Sequence, residues 1–114
     1  GGRAGSGTES LVRLALQAAG FRVTPQARIP GVGYVDFLVG TRVVVEVDSE
    51  QWHSTPEQRA EDCRRDLELY RLGFVVVRVR YGQAMHARDA VVAAVERAVR
   101  TTRSVRVARR HRRS

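Results

Sequence analysis

The chain has 114 residues, 20 arginines and no lysine, and a formal charge of +8. That length supports one domain with a single layered core, and no apolar run reaches the ~18 residues needed to cross a bilayer. One cysteine, Cys63, excludes an internal disulfide, and three histidines at positions 53, 86 and 111 cannot assemble a Cys/His zinc cluster. A soluble, cytoplasmic protein without membrane contact is expected.

The opening Gly-Gly-Arg-Ala-Gly-Ser-Gly reads as a cloning scar or as a linker that implies fusion to an N-terminal domain, so residues 1–5 are set apart from the fold. A domain is expected over residues 6–100. The first helix is expected over 8–19, with Ser6 and Glu9 as a capping box, Leu11, Leu14, Ala15 and Ala18 at helical spacing, and Gly20 as the stop. Strands follow at 21–28 and 34–39, separated by the Pro30-Gly31 turn signal, and at 41–47. Thr55-Pro56-Glu57-Gln58 starts a second helix that should run to Gly73, with threonine as cap and glutamine closing the box. Its apolar stripe of Ala60, Cys63, Leu67 and Tyr70 is expected to be buried. Residues 74–79 are almost continuously apolar, which suits a strand in the middle of a sheet covered on both faces. A last helix is expected over 87–99, followed by a basic, disordered tail over 101–114 that holds six arginines and no acid.

Charge is distributed unevenly along this order. Residues 46–68 hold eight carboxylates against three arginines, an acidic centre in a basic protein, and that combination suits a cation site facing a polyanion. The acids also sit where acids are costly. Glu46 and Asp48 extend the valine run 43–45 at alternate positions, and Asp36 lies among large apolar neighbours in Tyr-Val-Asp-Phe-Leu. Buried unpaired carboxylates cost several kcal/mol, roughly, so they call for a bound cation or a raised pKa. All-oxygen ligands select a hard divalent ion, Mg²⁺ or Mn²⁺, and the Val47 carbonyl between the two strand acids is a further donor.

Asp36, then Glu46-Val47-Asp48 ten residues later, resembles the PD-(D/E)XK nuclease superfamily. The fuller series is Val-Asp-Phe-Leu, Val-Glu-Val-Asp-Ser-Glu-Gln-Trp-His, Asp62-x-x-Arg65-Asp66-x-x-Leu69 and Gly73-Phe-x-Val-x-Arg78. In this order it is similar to proteins related to the very short patch repair endonucleases, over residues 6–100. The resemblance implies a restriction-endonuclease-like α/β fold, α-β-β-β-α-β-α, with a central mixed sheet flanked by helices. It implies Asp36, Glu46, Val47 and Asp48 around the metal, His53 as a catalytic group, and Trp52 with Gln51 at the DNA, although Trp52 also reads as a packing residue and His53 as a solvated one. Arg65, Arg78 and Arg80 are expected at phosphates, with pairing of Arg65 to Glu61 or Asp62 as the alternative, and Glu9 is expected to serve as an accessory acid. The lysine of the superfamily mechanism has no counterpart here, since the chain contains none. His53, Asp48 or activated water must carry its role. The reading is a metal-dependent DNA endonuclease. Its alternatives are an inactive DNA-binding module of a larger defence or toxin-antitoxin protein, and RNA as substrate.

The metal reading imposes a parity condition. Opposed residues of antiparallel strands share a face. A two-residue turn at Gly40-Thr41 would put Asp36 opposite Val45 and send Glu46 to the other face, whereas a three-residue loop, Gly40-Thr41-Arg42, brings Asp36 opposite Glu46.

Overall fold

The computed structural model describes residues 6–48 and 55–113, and side chains through Ser104 except that of Ser6. In chain order the elements are α1 (Ser6–Ala18), β1 (Val23–Ile29), β2 (Gly33–Val39), β3 (Val43–Asp48), α2 (Pro56–Arg71), β4 (Val75–Arg80), α3 (Tyr81–His86) and α4 (Arg88–Arg113). The strands form one sheet in the order β1-β2-β3-β4. The first three pair antiparallel and β4 joins β3 in parallel, which is the expected mixed sheet between helices. Among the described residues no helix is long and apolar enough to cross a membrane.

Two apolar cores lie on opposite faces of this sheet. The larger joins Val12 and Leu16 of α1, Phe37 and Val39 of β2, Val43, Val45 and Val47 of β3, and Val91, Val95 and Ala98 of α4. The smaller joins Ile29, Val32, Val35 and Val44 to Leu69 of α2. Residues 43–47 of β3 are buried throughout, so alternate valines feed the two cores. The β2–β3 register pairs Val39 with Val43. The loop therefore has three residues, with Gly40 at φ 62°, and the parity condition is met.

Several expectations about the elements need correction. In α1 the buried apolar residues are Val12 and Leu16, one helical turn apart, while Leu14 is 57% exposed and Ala18 is exposed. Ser6 is the first helical residue rather than the cap. Strand β4 lies at the edge of the sheet, not in its middle. Its valines are nevertheless covered from both sides, Val75 and Val77 by the larger core and Val76 by the smaller, which is the cause of the unbroken apolar run. The short helix α3 was not anticipated; it opens with the Gln83 side chain accepting from the Arg80 N–H at 2.9 Å. Helix α4 passes the expected end at Val99 and continues to Arg113, so the segment expected to be disordered is helical.

Helix α2 departs furthest from expectation. Thr55 caps it, accepting from the Gln58 N–H at 3.1 Å, but the Gln58 amide donates to Asp62 at 3.0 Å. The stripe expected to be buried faces outward: Ala60 and Cys63 are exposed, Leu67 is 72% exposed and Tyr70 80%. The inward face is polar instead, with Gln58, Asp62, Arg65 and Asp66 shielded from solvent and Leu69 as the one fully buried apolar residue.

Candidate active site

Strands β2 and β3 pair from Val39↔Val43 to Phe37↔Val45 and then part company, β2 continuing with β1 and β3 with β4. The next residues in line are Asp36 and Glu46, whose side chains occupy the fork. Glu46 Oε2 accepts from the Asp36 N–H at 3.3 Å, and Asp36 Oδ2 accepts from the Val47 N–H at 2.9 Å. Each carboxyl thus bonds the backbone of the opposite strand where the ladder stops, so neither main-chain N–H is left unmet. Both acids are nearly inaccessible, at 2% and 7% exposure.

The β1–β2 hairpin is irregular at the same level. Gln26 has φ 49°, the one non-glycine with positive φ among the described residues, and its position opposite Asp36 is skipped in the β1–β2 ladder. Across this point the strand changes sides: Phe37 and Val39 pack in the larger core but Val35 packs in the smaller. Irregularities of this kind bend a strand and re-aim a side chain. Here the consequence is that Asp36 stands between the two layers, within range of α1 as well as of β3.

Burial dominates the electrostatics of the pair. It pushes the Glu46 carboxyl up to about 7, and the neighbouring Asp36 adds to the rise through a hydrogen bond and its charge, opposed by Arg65. Burial also raises Asp36, but hydrogen bonds, that from Glu46 the largest and that from the Val47 N–H among them, bring Asp36 below its ordinary value. Of the two carboxyls, Glu46 therefore holds a proton the more readily. Glu9, from α1, is raised by burial and then by the charge of Asp36. Its carboxyl therefore lies close enough to Asp36 to feel that charge.

Two arginines brace the site from the α2 side. Arg65 donates to the Tyr34 carbonyl at 2.8 Å and lies 3.5 Å from Glu46 Oε1. Arg78, which neighbours Glu46 across the β3–β4 ladder, pairs with Asp66 at 2.6 Å. Burial disfavours the Arg78 charge, but Asp66 more than offsets it, with Asp48 and Glu46 contributing. Both arginines were expected at phosphates; in the structure Arg65 lies against the buried Glu46 and Arg78 against the part-exposed Asp66. Of the alternative partners expected for Arg65, Glu61 pairs with Arg64 at 2.7 Å and feels the Arg65 charge as a smaller contribution. Arg80 is exposed and adjoins Asp48 across the ladder. Asp48 ends β3 only partly buried. Gln51, Trp52 and His53 lie outside the described residues.

The donor set can be tested against a divalent ion. Among the described residues, no cluster of three His, Cys, Asp or Glu side chains is close enough to form a ready-made metal cage. Asp36 and Glu46 are the two carboxylates brought together, and the described Val47 contact is through its N–H rather than the expected carbonyl. Two carboxylates suit Mg²⁺, which keeps several waters and completes its shell with substrate phosphate. The proton favoured on Glu46 points the same way, because a cation between two buried carboxylates compensates the charge that the proton now suppresses.

Comparison with known proteins agrees with this architecture. A homing endonuclease catalytic domain, that of I-Bth0305I, superposes with a TM-score of 0.70 at 21% identity, covering 83% of this chain and 95% of that domain. An uncharacterized protein of Haemophilus influenzae is 38% identical over 78 residues, which span 67% of this chain and 62% of that protein's length. The restriction endonuclease-like family REase_MTES_1575 matches residues 9–99. That match takes in the whole sheet and the carboxylate fork, and the chain belongs to that family.

Proposed function

We propose that this protein is a divalent-metal-dependent endonuclease that hydrolyses DNA phosphodiester bonds, akin in its motif order to the very short patch repair enzymes. The observation that carries the reading is the Asp36–Glu46 pair, two buried carboxyls held face to face by backbone N–H groups at a fork in the sheet. Structural acids are seldom placed so, because like charges at contact distance destabilise one another unless a cation or proton intervenes.

Asp36 and Glu46 would hold Mg²⁺ or Mn²⁺, with Asp48 and the Val47 carbonyl as further donors at the end of β3. The ion, when bound, supplies charge neutralisation at the phosphate and acidification of water. The protein's own groups do the rest. The Val47 N–H fixes the Asp36 carboxylate, and Arg65 holds Glu46 from the opposite side. His53 is the group available for proton transfer, and Trp52 and Gln51 beside it are assigned to the duplex. Arg80 is assigned to a phosphate, since its side chain is exposed beside Asp48.

The test is incubation of supercoiled plasmid, linear duplex, single-stranded DNA and RNA with the protein in Mg²⁺, Mn²⁺ or EDTA, alongside Asp36→Asn and Glu46→Gln. Metal-dependent cleavage of DNA is expected, abolished in both variants while DNA affinity is kept or raised, because each substitution removes an anion that repels phosphate. Retention of more than a few per cent of cleavage by either variant would sink the assignment. Tight DNA binding without cleavage under any condition would establish the inactive binding module instead.

A further inference from the structure

Helix α2 presents its apolar residues to solvent, the reverse of the usual arrangement for a helix packed on a sheet. Ala60, Cys63, Leu67 and Tyr70 fall along one outward stripe, with Leu67 72% and Tyr70 80% exposed. The inward face is given over to Arg65, Asp66 and their partners in the site, so the stripe has no core of its own to enter. Its spacing, three, four and three residues, is that of a two-helix seam.

We propose that this stripe pairs with the same stripe of a second copy, the two α2 helices lying antiparallel across a twofold axis. Shape and charge both select that arrangement. Antiparallel pairing sets the large Tyr70 against the partner's small Ala60, and Leu67 against the partner's Cys63. It also brings exposed Glu57, near the start of the helix, alongside the partner's Arg71 at its end, whose guanidinium is held by its own Glu68 at 2.6 Å but is still 69% exposed and so can meet a second carboxylate. Arg64 meets its own copy near the axis, but Glu61 already neutralises it at 2.7 Å. A parallel pairing would stack tyrosine on tyrosine, leave alanine facing alanine, and bring Glu57 to Glu57 and Arg71 to Arg71, so it is disfavoured on both counts. The 16-residue helix is about 24 Å long. A contact confined to it is smaller than the ~800 Å² per partner of a standard interface, so the dimer is a weak one that dissociates on dilution.

Sedimentation equilibrium of the full chain tests this directly. The weight-average mass should rise from 12.7 kDa toward twice that value as concentration passes through the micromolar range. Leu67→Asp should raise the dissociation constant at least tenfold with an unchanged circular dichroism spectrum. Glu57→Arg and Arg71→Glu should each weaken association, and the double variant should restore it. Leu67→Cys should yield a disulfide-linked dimer on mild oxidation, lost again when Cys63→Ser is added. A monomer at every concentration would overturn the proposal, and so would efficient oxidation of the unaltered protein through Cys63 alone, which indicates a parallel pairing. None of these readouts depends on cleavage, so the result stands apart from the nuclease reading.

Discussion

Arg65 reaches from α2 to two points of the β2–β3 fork at once, donating to the Tyr34 carbonyl at 2.8 Å and lying 3.5 Å from Glu46 Oε1. It ties the strand that carries Asp36 to the carboxyl that faces it. Positioning Glu46 and binding phosphate are different roles for this arginine, and they predict different outcomes. Arg65→Ala should lower cleavage by about 10- to 100-fold, the usual cost of removing a group that orients a metal ligand, and should weaken Mg²⁺ or Mn²⁺ binding in parallel. The slope of log affinity for DNA against log salt should stay the same. A slope lowered by about one would restore Arg65 to the phosphate contacts.

The proton favoured on Glu46 beside Asp36 makes metal-free stability depend on pH. Glu46 is raised from its ordinary 4.5 to about 7 in the folded protein. The folded state therefore binds a proton that the unfolded chain has released. Its contribution is full below about pH 4.5 and is lost as pH rises through 7, and burial of this size makes the loss a few kcal/mol in order of magnitude. Asp36 is shifted the opposite way, so its own contribution changes only below its ordinary value of 3.8, outside that window. In EDTA the melting temperature should fall between pH 5 and pH 8, and Glu46→Gln, which keeps the shape without the charge, should flatten the fall. Excess Mg²⁺ should also flatten it. Equal pH profiles for the parent and the variant would show that Glu46 is not the group holding the proton.

The parts of this structure legible in the sequence are those governed by strict alternation. Three buried strands with acids at fixed places leave one loop length compatible with a shared face, and Gly40-Thr41-Arg42 is that loop. Asp36 and Glu46 were legible for the same reason, because a carboxylate in a valine strand requires an explanation. Helix α2 was misread because apolar periodicity marks the face that avoids water only when the inner surface is itself apolar. Here the inner surface carries Glu46 and Arg78, and Arg65 and Asp66 turn inward to meet them. No local signal marks β4 as an edge strand, since coverage by helices on both faces produces the same run of valines. The left-handed Gln26 leaves no trace in residue type, as glutamine has no particular tolerance for that conformation. The cost is met by the tertiary fold around Asp36.

The cap of α2 gives a measurement of how firmly the inner polar face is held. Thr55 accepts from the Gln58 N–H at 3.1 Å, and Gln58 in turn donates to Asp62 at 3.0 Å. Thr55→Ala should cost about 1 kcal/mol in urea unfolding, with the m-value unchanged because the surface exposed on unfolding is the same. Thr55→Gly should cost only a few tenths of that amount. A loss well above 2 kcal/mol would mean that the cap also orders residues of the site.

The last prediction concerns α4, which carries the basic end of the chain as helix. Residues 101–114 contribute six arginines and no acid, between Arg103 and Arg113. Successive residues of a helix rise about 1.5 Å, so the helical segment from 103 to 113 extends over roughly 15 Å, the reach of several phosphates on one strand of duplex DNA. If all six arginines engage phosphate, they release about five counterions per binding event, each adding one unit to the salt slope. Truncation after Thr102 should lower the slope by about five and weaken binding most at low salt. It should leave the rate of cleavage at saturating DNA unchanged, because the contacts described for Asp36 and Glu46 come from β2, β3 and α2. Fluorescence anisotropy at several salt concentrations measures the first effect and single-turnover cleavage the second. An unaltered slope would assign the basic helix to a surface that DNA does not touch, and a fall in the saturating rate would mean that the helix acts on the chemistry as well as on affinity.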